Sequence, residues 1–380
     1  MLGLTSTLLG RYILWNAPTN RDHLRFPGRT LSPSEAPFLF RRLGAARAFE
    51  RLRVRRGGTE TTAELPALLE RTGTTALVIV RDQELLYEAY PNGGSPDTAN
   101  RCFSVTKSVL SALIGIAIAE GKLGGVGDAI ERYLPELTAS ALGALTIGHL
   151  LQMHSGIRFS EGMLPWSDEV KSYYSPDCRT AALSARVTDS IGGFFHYNDY
   201  HPFLLAMVLE RATGESVSAF LERTLWKRIG TQFSASLSYD SEASRLEHME
   251  SGLTACAQDL AKFGLLYLNR GAWLGTQVVP QAWVDESTGP TSARNDPEYF
   301  RYYRNRPWGP ILSSGNYYYK YLWWGHRLSD SEHDYFAMGV LGQHIYVSPS
   351  ARVVIVRLST RFPKGMWWIP VFRQLVRQVS

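Results

Sequence analysis

Hydrophobic positions along this chain follow two periods. In "TTALVIVRDQELLYEAY" (74–90) an apolar run breaks at Arg81–Gln83 and then resumes, which predicts two short strands joined by a polar turn. "YFAMGVLGQHIYVSPSARVVIVRLS" (335–359) has the same character and predicts two strands around a Ser-Pro-Ser turn. Between them the spacing is helical. "LTIGHLLQMHSG" (145–156), "HPFLLAMVLERATG" (201–214) and "LTACAQDLAKFGLLYLNRG" (253–271) each predict a helix, the last amphipathic and closed by glycine. "WWIPVFRQLVRQVS" (367–380) predicts a closing helix, and "PNGGSPDTAN" (91–100) a loop. "SVLSALIGIAIA" (108–119) stands apart: it carries no charge, is too short to span a bilayer, and predicts a helix buried on nearly all sides.

Strands at both ends with helices between them predict an α+β fold, with one mixed, largely antiparallel sheet built from both chain ends. The helical residues from about 122 to 250 form a lobe inserted between α/β parts at 61–121 and 251–380. Residues 1–60 read as a separate basic extension. At 380 residues, 44% of them hydrophobic, the chain is long enough for two lobes around a large core.

The net charge of +5 is unevenly spread. Residues 1–56 hold eleven Arg and no Lys against Asp22, Glu35 and Glu50, a surplus of eight. That exceeds the charge of the whole chain, so the body is net acidic and nucleic-acid binding is not expected of it. The opening run "MLGLTSTLLGRYILW" has neither a basic n-region nor a small-residue cleavage site. Neither a cleavable signal peptide nor a transmembrane helix is expected, and the compartment, cytoplasm or envelope, stays open. An Arg-rich, acid-poor start also imitates a transit peptide. An apolar tip followed by arginines can lie on an anionic membrane surface as a peripheral contact, or pack on the body with its arginines solvated.

Three cysteines, Cys102, Cys178 and Cys256, are far apart and odd in number, so neither a disulfide framework nor a zinc site is expected. Cys102 lies two residues from Ser104 and is a rival nucleophile. Its simpler role is a small apolar residue ahead of a buried helix.

The chemistry begins at "FSVTK" (103–107). Ser104 and Lys107, three apart, share one face at the N-terminus of the buried helix, where backbone N–H groups and the dipole favour developing negative charge. Burial disfavours an ammonium, so Lys107 is expected to be held neutral and able to take a proton from Ser104. Ser-x-x-Lys alone is common, and the catalytic reading rests on two further segments downstream in the chain.

Tyr197 in "HYNDYHPFLL" precedes an apolar helix, and Gly339 in "AMGVLGQHIYV" lies on a strand near the end. In this order the three segments resemble the motifs of the serine β-lactamase and penicillin-binding-protein superfamily, and within it the esterase and 6-aminohexanoate-dimer-hydrolase branch of β-lactamase-related hydrolases. "LTIGHLLQMHSGI" and "DLAKFG" add to the resemblance, which spans roughly residues 70–360. Two departures stand out. The family's Tyr-x-Asn ends here in Asp199, and its Lys-Thr-Gly reads Ala337-Met338-Gly339.

The resemblance implies a β-lactamase/transpeptidase-like fold and a set of roles. Ser104 is the nucleophile, Lys107 the base, and Tyr197 the relay to the leaving group. The backbone N–H groups of Ser104 and Val340 form the oxyanion hole. Gly339 keeps the strand open to substrate. Asp199 either raises the Lys107 pKa, binds a cationic group of substrate, or turns away. His344 is a stand-in for the missing third-motif lysine or an exposed strand histidine. Trp166, with Tyr173 and Tyr174, forms an aromatic wall of the substrate site or packs in a loop.

His154 reads as structural. His196 and His201 are a weak metal pattern, so no metal and no cofactor are expected. The expected substrate is a small ester or amide. A β-lactamase or D-alanyl-D-alanine carboxypeptidase is the second reading, and a catalytically decayed binding or sensor domain the third.

Overall fold

The structure is a computed structural model. It describes residues 4–42, 49–290, 298–305, 309–312, 314–362 and 367–380. An eight-stranded sheet forms its centre. In chain order its strands are β1 (Arg41–Arg42), β2 (Thr74–Arg81), β3 (Glu84–Ala89), β4 (Tyr317–Lys320), β5 (Trp323–Arg327), β6 (His333–Gly339), β7 (Gln343–Ser348) and β8 (Val353–Ser359). They lie in the order β4-β5-β6-β7-β8-β2-β3-β1, so the two ends of the chain meet where β8 pairs antiparallel with β2. All neighbours are antiparallel except β1, which runs parallel to β3. The mixed sheet read from the sequence is the one observed.

The helices that matter for the site are α1 (Leu8–Trp15), α2 (Val105–Ala119), α3 (Asp168–Tyr174), α4 (Tyr200–Thr213), α5 (Ala257–Leu268) and α6 (Ile369–Val379). Side-chain alternation on β7 and β8 sorts them onto two faces. Gly264 of α5 lies against Ile345 and Val354, whereas Phe372 of α6 packs on His344 and Tyr346. With helices on both faces, every residue of β7 and β8 is buried, which explains their continuous apolar runs.

Two elements differ from the sequence reading. The segment 335–348, read as one strand, is two. Leu341 (φ 66°) and Gly342 (φ 83°) take left-handed conformations that break it into β6 and β7, paired from Tyr335–Val347 to Gly339–Gln343. The helix read over 253–271 begins only at Ala257; Leu253–Ala255 is a strand of a second, four-stranded sheet. Nor is α5 amphipathic in its surroundings, because all of it is buried. Its polar residues pair internally: Lys262 Nζ reaches Asp259 at 2.9 Å, and Asp259 accepts the Gln232 and Phe233 N–H groups.

The N-terminal arm lies on the body. Gly28–Leu31 joins the second sheet by pairing with Ala235–Ser238, and α1 packs against α3. Among the described residues, no helix is long and apolar enough to cross a membrane.

Candidate active site

The site is built on a strained turn. Asn100–Arg101 pairs with Leu253–Ala255, and the Cys102 N–H donates to the Leu253 carbonyl at 2.7 Å. Phe103 then takes φ 49°, a conformation that costs a phenylalanine on the order of 1–3 kcal/mol and persists only where its surroundings enforce it. The turn delivers Ser104 to the N-cap position of α2. A serine there ordinarily turns its hydroxyl back to cap the helix. Ser104 makes no such bond; its Oγ accepts instead from Lys107 Nζ at 2.9 Å.

Lys107 is 1% exposed. Its ammonium has three N–H donors, and three acceptors surround it: Ser104 Oγ, the Glu250 carbonyl at 2.8 Å and Asp199 Oδ1 at 2.8 Å. The Tyr197 ring lies 4.9 Å from Nζ. Burial alone lowers the Lys107 pKa, but the Asp199 carboxylate, helped by Tyr197 and Glu250, outweighs it, and the net shift is upward. Lys107 is therefore an ammonium at neutral pH, which corrects the neutral lysine expected from its apolar helix. Of the three readings of Asp199 the geometry excludes the one in which it turns away: it points at Lys107.

Tyr197 is placed from three sides. Its N–H donates to Tyr303 Oη at 2.9 Å, and Tyr303 donates to Glu161 at 3.2 Å. Its ring stacks on Trp324 at 6.0 Å, and Tyr197 lines the same cavity as Ser104. Burial raises the phenol pKa, with Lys107 pulling against it. The neighbouring Asn198 is turned inward. Its amide donates to the Ile157 carbonyl at 3.2 Å, and its Oδ1 accepts the Tyr200 N–H.

Gly339 and Val340 lie against the turn that carries Ser104. A Cβ on Gly339 would collide with the Cys102 carbonyl oxygen and fall 3.1 Å from the Ser104 nitrogen. The approach of β6 to the turn thus by itself requires a glycine here. Gly339→Ala should displace the turn, destabilise the fold by about 1–3 kcal/mol and lower kcat more than it raises KM, as urea unfolding and steady-state kinetics would show. Among the described residues, neither the Ser104 nor the Val340 N–H makes a backbone hydrogen bond outside the helices and strands.

Ser104, Tyr197, Asp199, Gly339, Val340 and His344 line one cavity of about 500 Å³, within the usual size range of small-molecule sites. The sequence reading missed much of the remaining wall. Glu161 and Glu169 lie on one side; Trp324, Met338, Trp367 and Trp368 form an apolar surface. Nothing in the local sequence marks these residues, because strand pairing and the α3 loop bring them together. Among the described lining residues there is no Lys or Arg.

Of two further expected substrate contacts, His344 lines the cavity and Trp166 does not. His344, 3% exposed, faces α6 because strand alternation turns it there. Its Nδ1 donates to the Gly342 carbonyl at 2.9 Å. Burial, with Arg357 nearby, pushes its pKa down to about 3, so it is neutral and cannot replace a lysine. Protonating a histidine that is buried neutral costs folding energy. Relative to a His344→Gln variant, wild-type stability should therefore fall as pH drops from about 6.5 towards 3, by up to about 1.4 kcal/mol per pH unit in a denaturant titration. Trp166 is 69% exposed, on the loop before α3, and is not among the cavity-lining residues. Tyr173 and Tyr174 anchor the N-terminal arm instead. Tyr173 donates to the buried Asp22 at 2.6 Å, and Tyr174 to the Asn16 carbonyl.

Cys102 is no rival to Ser104. It is fully buried, and burial pushes its thiol up to about 12. His154 is buried and outside the cavity lining. His201 bonds Ser155 Oγ at 2.6 Å, while His196 stacks on Tyr302. Among the described residues, no group of three or more His, Cys, Asp or Glu is arranged to hold a metal ion.

Fold and site together define the class. The Beta-lactamase family model matches residues 61–366, and the chain belongs to that family. It is 27% identical over 310 residues to the 6-aminohexanoate-dimer hydrolase of Paenarthrobacter ureafaciens, covering 78% of this chain and 75% of that protein. A Bacillus anthracis structure provisionally named 6-aminohexanoate-dimer hydrolase superposes with a TM-score of 0.76 at 21% identity, over 97% of this chain and 92% of that one. A penicillin-binding protein from Bacillus halodurans superposes with a TM-score of 0.60 at 16% identity, over 82% and 99%.

Proposed function

We propose that this chain is a serine hydrolase that forms an acyl-enzyme on Ser104 and hydrolyses carboxylic esters or small amides. One observation carries the reading: Ser104 Oγ accepts from Lys107 Nζ, the Tyr197 ring lies 4.9 Å from that ammonium, and Ser104 and Tyr197 line a cavity whose described residues include three carboxylates and no Lys or Arg. Ser104 Oγ attacks the carbonyl carbon. The oxyanion is received by the Ser104 and Val340 N–H groups. Because Lys107 begins as an ammonium, the reactive form arises by loss of one proton from the Lys107–Asp199–Tyr197 cluster. Neutral Lys107 then takes the Ser104 proton, and Tyr197 relays a proton to the leaving alcohol or amine. Water, deprotonated through the same groups, attacks the acyl-enzyme and releases the acid.

The charge of the cavity separates this reading from its competitors. β-Lactams and D-alanyl peptides carry a carboxylate, which would lie here near Glu161, Glu169 and Asp199 with no Lys or Arg among the described lining residues to hold it. Neutral esters, and amides with a cationic end, meet no such penalty. The relative named 6-aminohexanoate-dimer hydrolase supports the amide side of the reading. A decayed binding domain would have no need to keep Ser104, Lys107 and Tyr197 together.

Hydrolysis of p-nitrophenyl butyrate and nitrocefin, measured in parallel, tests the reading. Ester kcat/KM should exceed that for nitrocefin by about a hundredfold, as expected when a site leaves a substrate charge unpaired. Faster nitrocefin turnover would move the protein to β-lactam chemistry. Turnover of neither substrate, together with no fluorophosphonate labelling, would make it a binding domain.

A further inference from the structure

We propose that the protein docks on an anionic lipid surface through an apolar patch shared by its N-terminal helix and the loop beside the cavity. Leu9, Ile13 and Leu14 of α1, and Met163, Leu164 and Trp166 of the 162–167 loop, are exposed at 47% to 69%. Single exposed apolar side chains are ordinary, but six large ones on two adjoining segments are not.

The two segments are held as one surface. Tyr12 of α1 donates to the Met163 carbonyl at 2.8 Å. Arg11, buried, donates to the Ser175 carbonyl at 3.3 Å just beyond α3. Tyr12 meets Tyr174 edge-on at 6.1 Å. The opposite face of α1 is thereby used up in packing, and Leu9 and Ile13, one turn apart, project from the free face. On the loop, Ser167 caps α3, fixing the Met163–Trp166 tip as a protrusion.

Charge and composition favour lipid as the occupant. The part of the arm around α1, residues 4–31, carries Arg11, Arg21, Arg25 and Arg29 against the single acid Asp22. Arg25 donates to the Trp15 carbonyl at the end of α1 and also meets Asp22, Arg29 reaches Glu247 at 3.4 Å, and the Arg21, Arg25 and Arg29 side chains all stand exposed on the same arm. Protruding Leu, Ile, Met and Trp side chains flanked by arginines suit the interfacial region of a bilayer with anionic headgroups. The position of the patch adds a use for docking. Glu161 and Glu169, which bracket the loop, line the cavity, so its rim would lie beside the lipid and could receive an amphipathic substrate from it.

Flotation of the full chain with vesicles tests this. One set is phosphatidylcholine alone; the other is equal parts phosphatidylcholine and phosphatidylglycerol. Binding is expected to the anionic vesicles, to weaken with added salt, and to fall about tenfold in the Ile13→Asp, Leu164→Asp double variant. Hydrolysis of a short soluble ester should be unchanged in that variant, because neither residue lines the cavity. Failure to bind either vesicle, or equal, salt-insensitive binding to both, would overturn the proposal. So would a wild-type dimer in light scattering that the double variant dissociates, since the patch would then join two copies of the chain. None of these outcomes depends on Ser104 being the nucleophile.

Discussion

Replacing Ser104 by alanine should lower kcat/KM for p-nitrophenyl butyrate by about 10⁴-fold or more while leaving the folded protein intact. The loss is large because the acyl-enzyme cannot form, and enzymes stripped of their nucleophile keep only the residual catalysis of oxyanion donors and binding. Stability should change by no more than about 0.5 kcal/mol, since the hydroxyl neither caps α2 nor fills a core position. Lys107 would keep two of its acceptors, Asp199 and the Glu250 carbonyl. Steady-state kinetics beside thermal unfolding distinguishes this from a folding defect. A variant retaining more than about one part in a hundred of wild-type activity would remove Ser104 from the chemistry.

Asp199→Asn should move the acid limb of the kcat/KM–pH profile down by about one to three units, the range over which a close opposite charge shifts a titrating group. The ion pair sets the sign. Asp199 lies 2.8 Å from Lys107 Nζ and stabilises the ammonium, so proton loss from the cluster is deferred to alkaline pH. Asparagine keeps an acceptor at the same place but not the charge; the Lys107 pKa falls, and the reactive form is populated nearer neutrality. Activity at neutral pH therefore rises, an unusual result for a change beside a nucleophile. The folded protein loses at the same time. A lysine whose folded pKa is raised contributes stability that is fully present below its unfolded pKa, about 10.4, and is lost as pH rises through the folded value. The variant should thus melt lower than wild type at pH 7, the gap closing in strong alkali. An unchanged profile, or an upward shift, would mean that Lys107 is not the group whose deprotonation limits the rate.

How much of this the sequence carried depends on the range of the interaction. Ser104 and Lys107 are one helical turn apart, and any helix starting at Ser104 places them on one face; their bond at 2.9 Å was legible. The uncharged run at 108–119 announced its own burial, and β2, β3 and β8 arise from their apolar runs. The ionisation of Lys107 was not legible. It turns on a carboxylate 92 positions away in the chain, whose direction is set by α4 and the loop before it. The burial of His344 and the outward position of Trp166 were missed for the same reason: a residue's type does not say which face of a strand or loop another element will cover. Gly339 was singled out for the room it leaves to substrate; its contact with the Cys102 carbonyl, which also demands a glycine, could not be read from the sequence. The break at Leu341–Gly342 was missed because leucine gives no local hint of a positive φ. In α5, Asp259 and Lys262 looked like a solvent face and are a buried pair.

The central claim is covalent catalysis by Ser104, and mass spectrometry of the protein quenched during turnover tests it most directly. After mixing with p-nitrophenyl butyrate and acid quenching, a single butyryl adduct should appear on the peptide containing Ser104 and be absent from Ser104→Ala. The same peptide should carry the label after fluorophosphonate treatment. Sustained ester turnover with no adduct on that peptide, or with the adduct on another residue, would contradict the account.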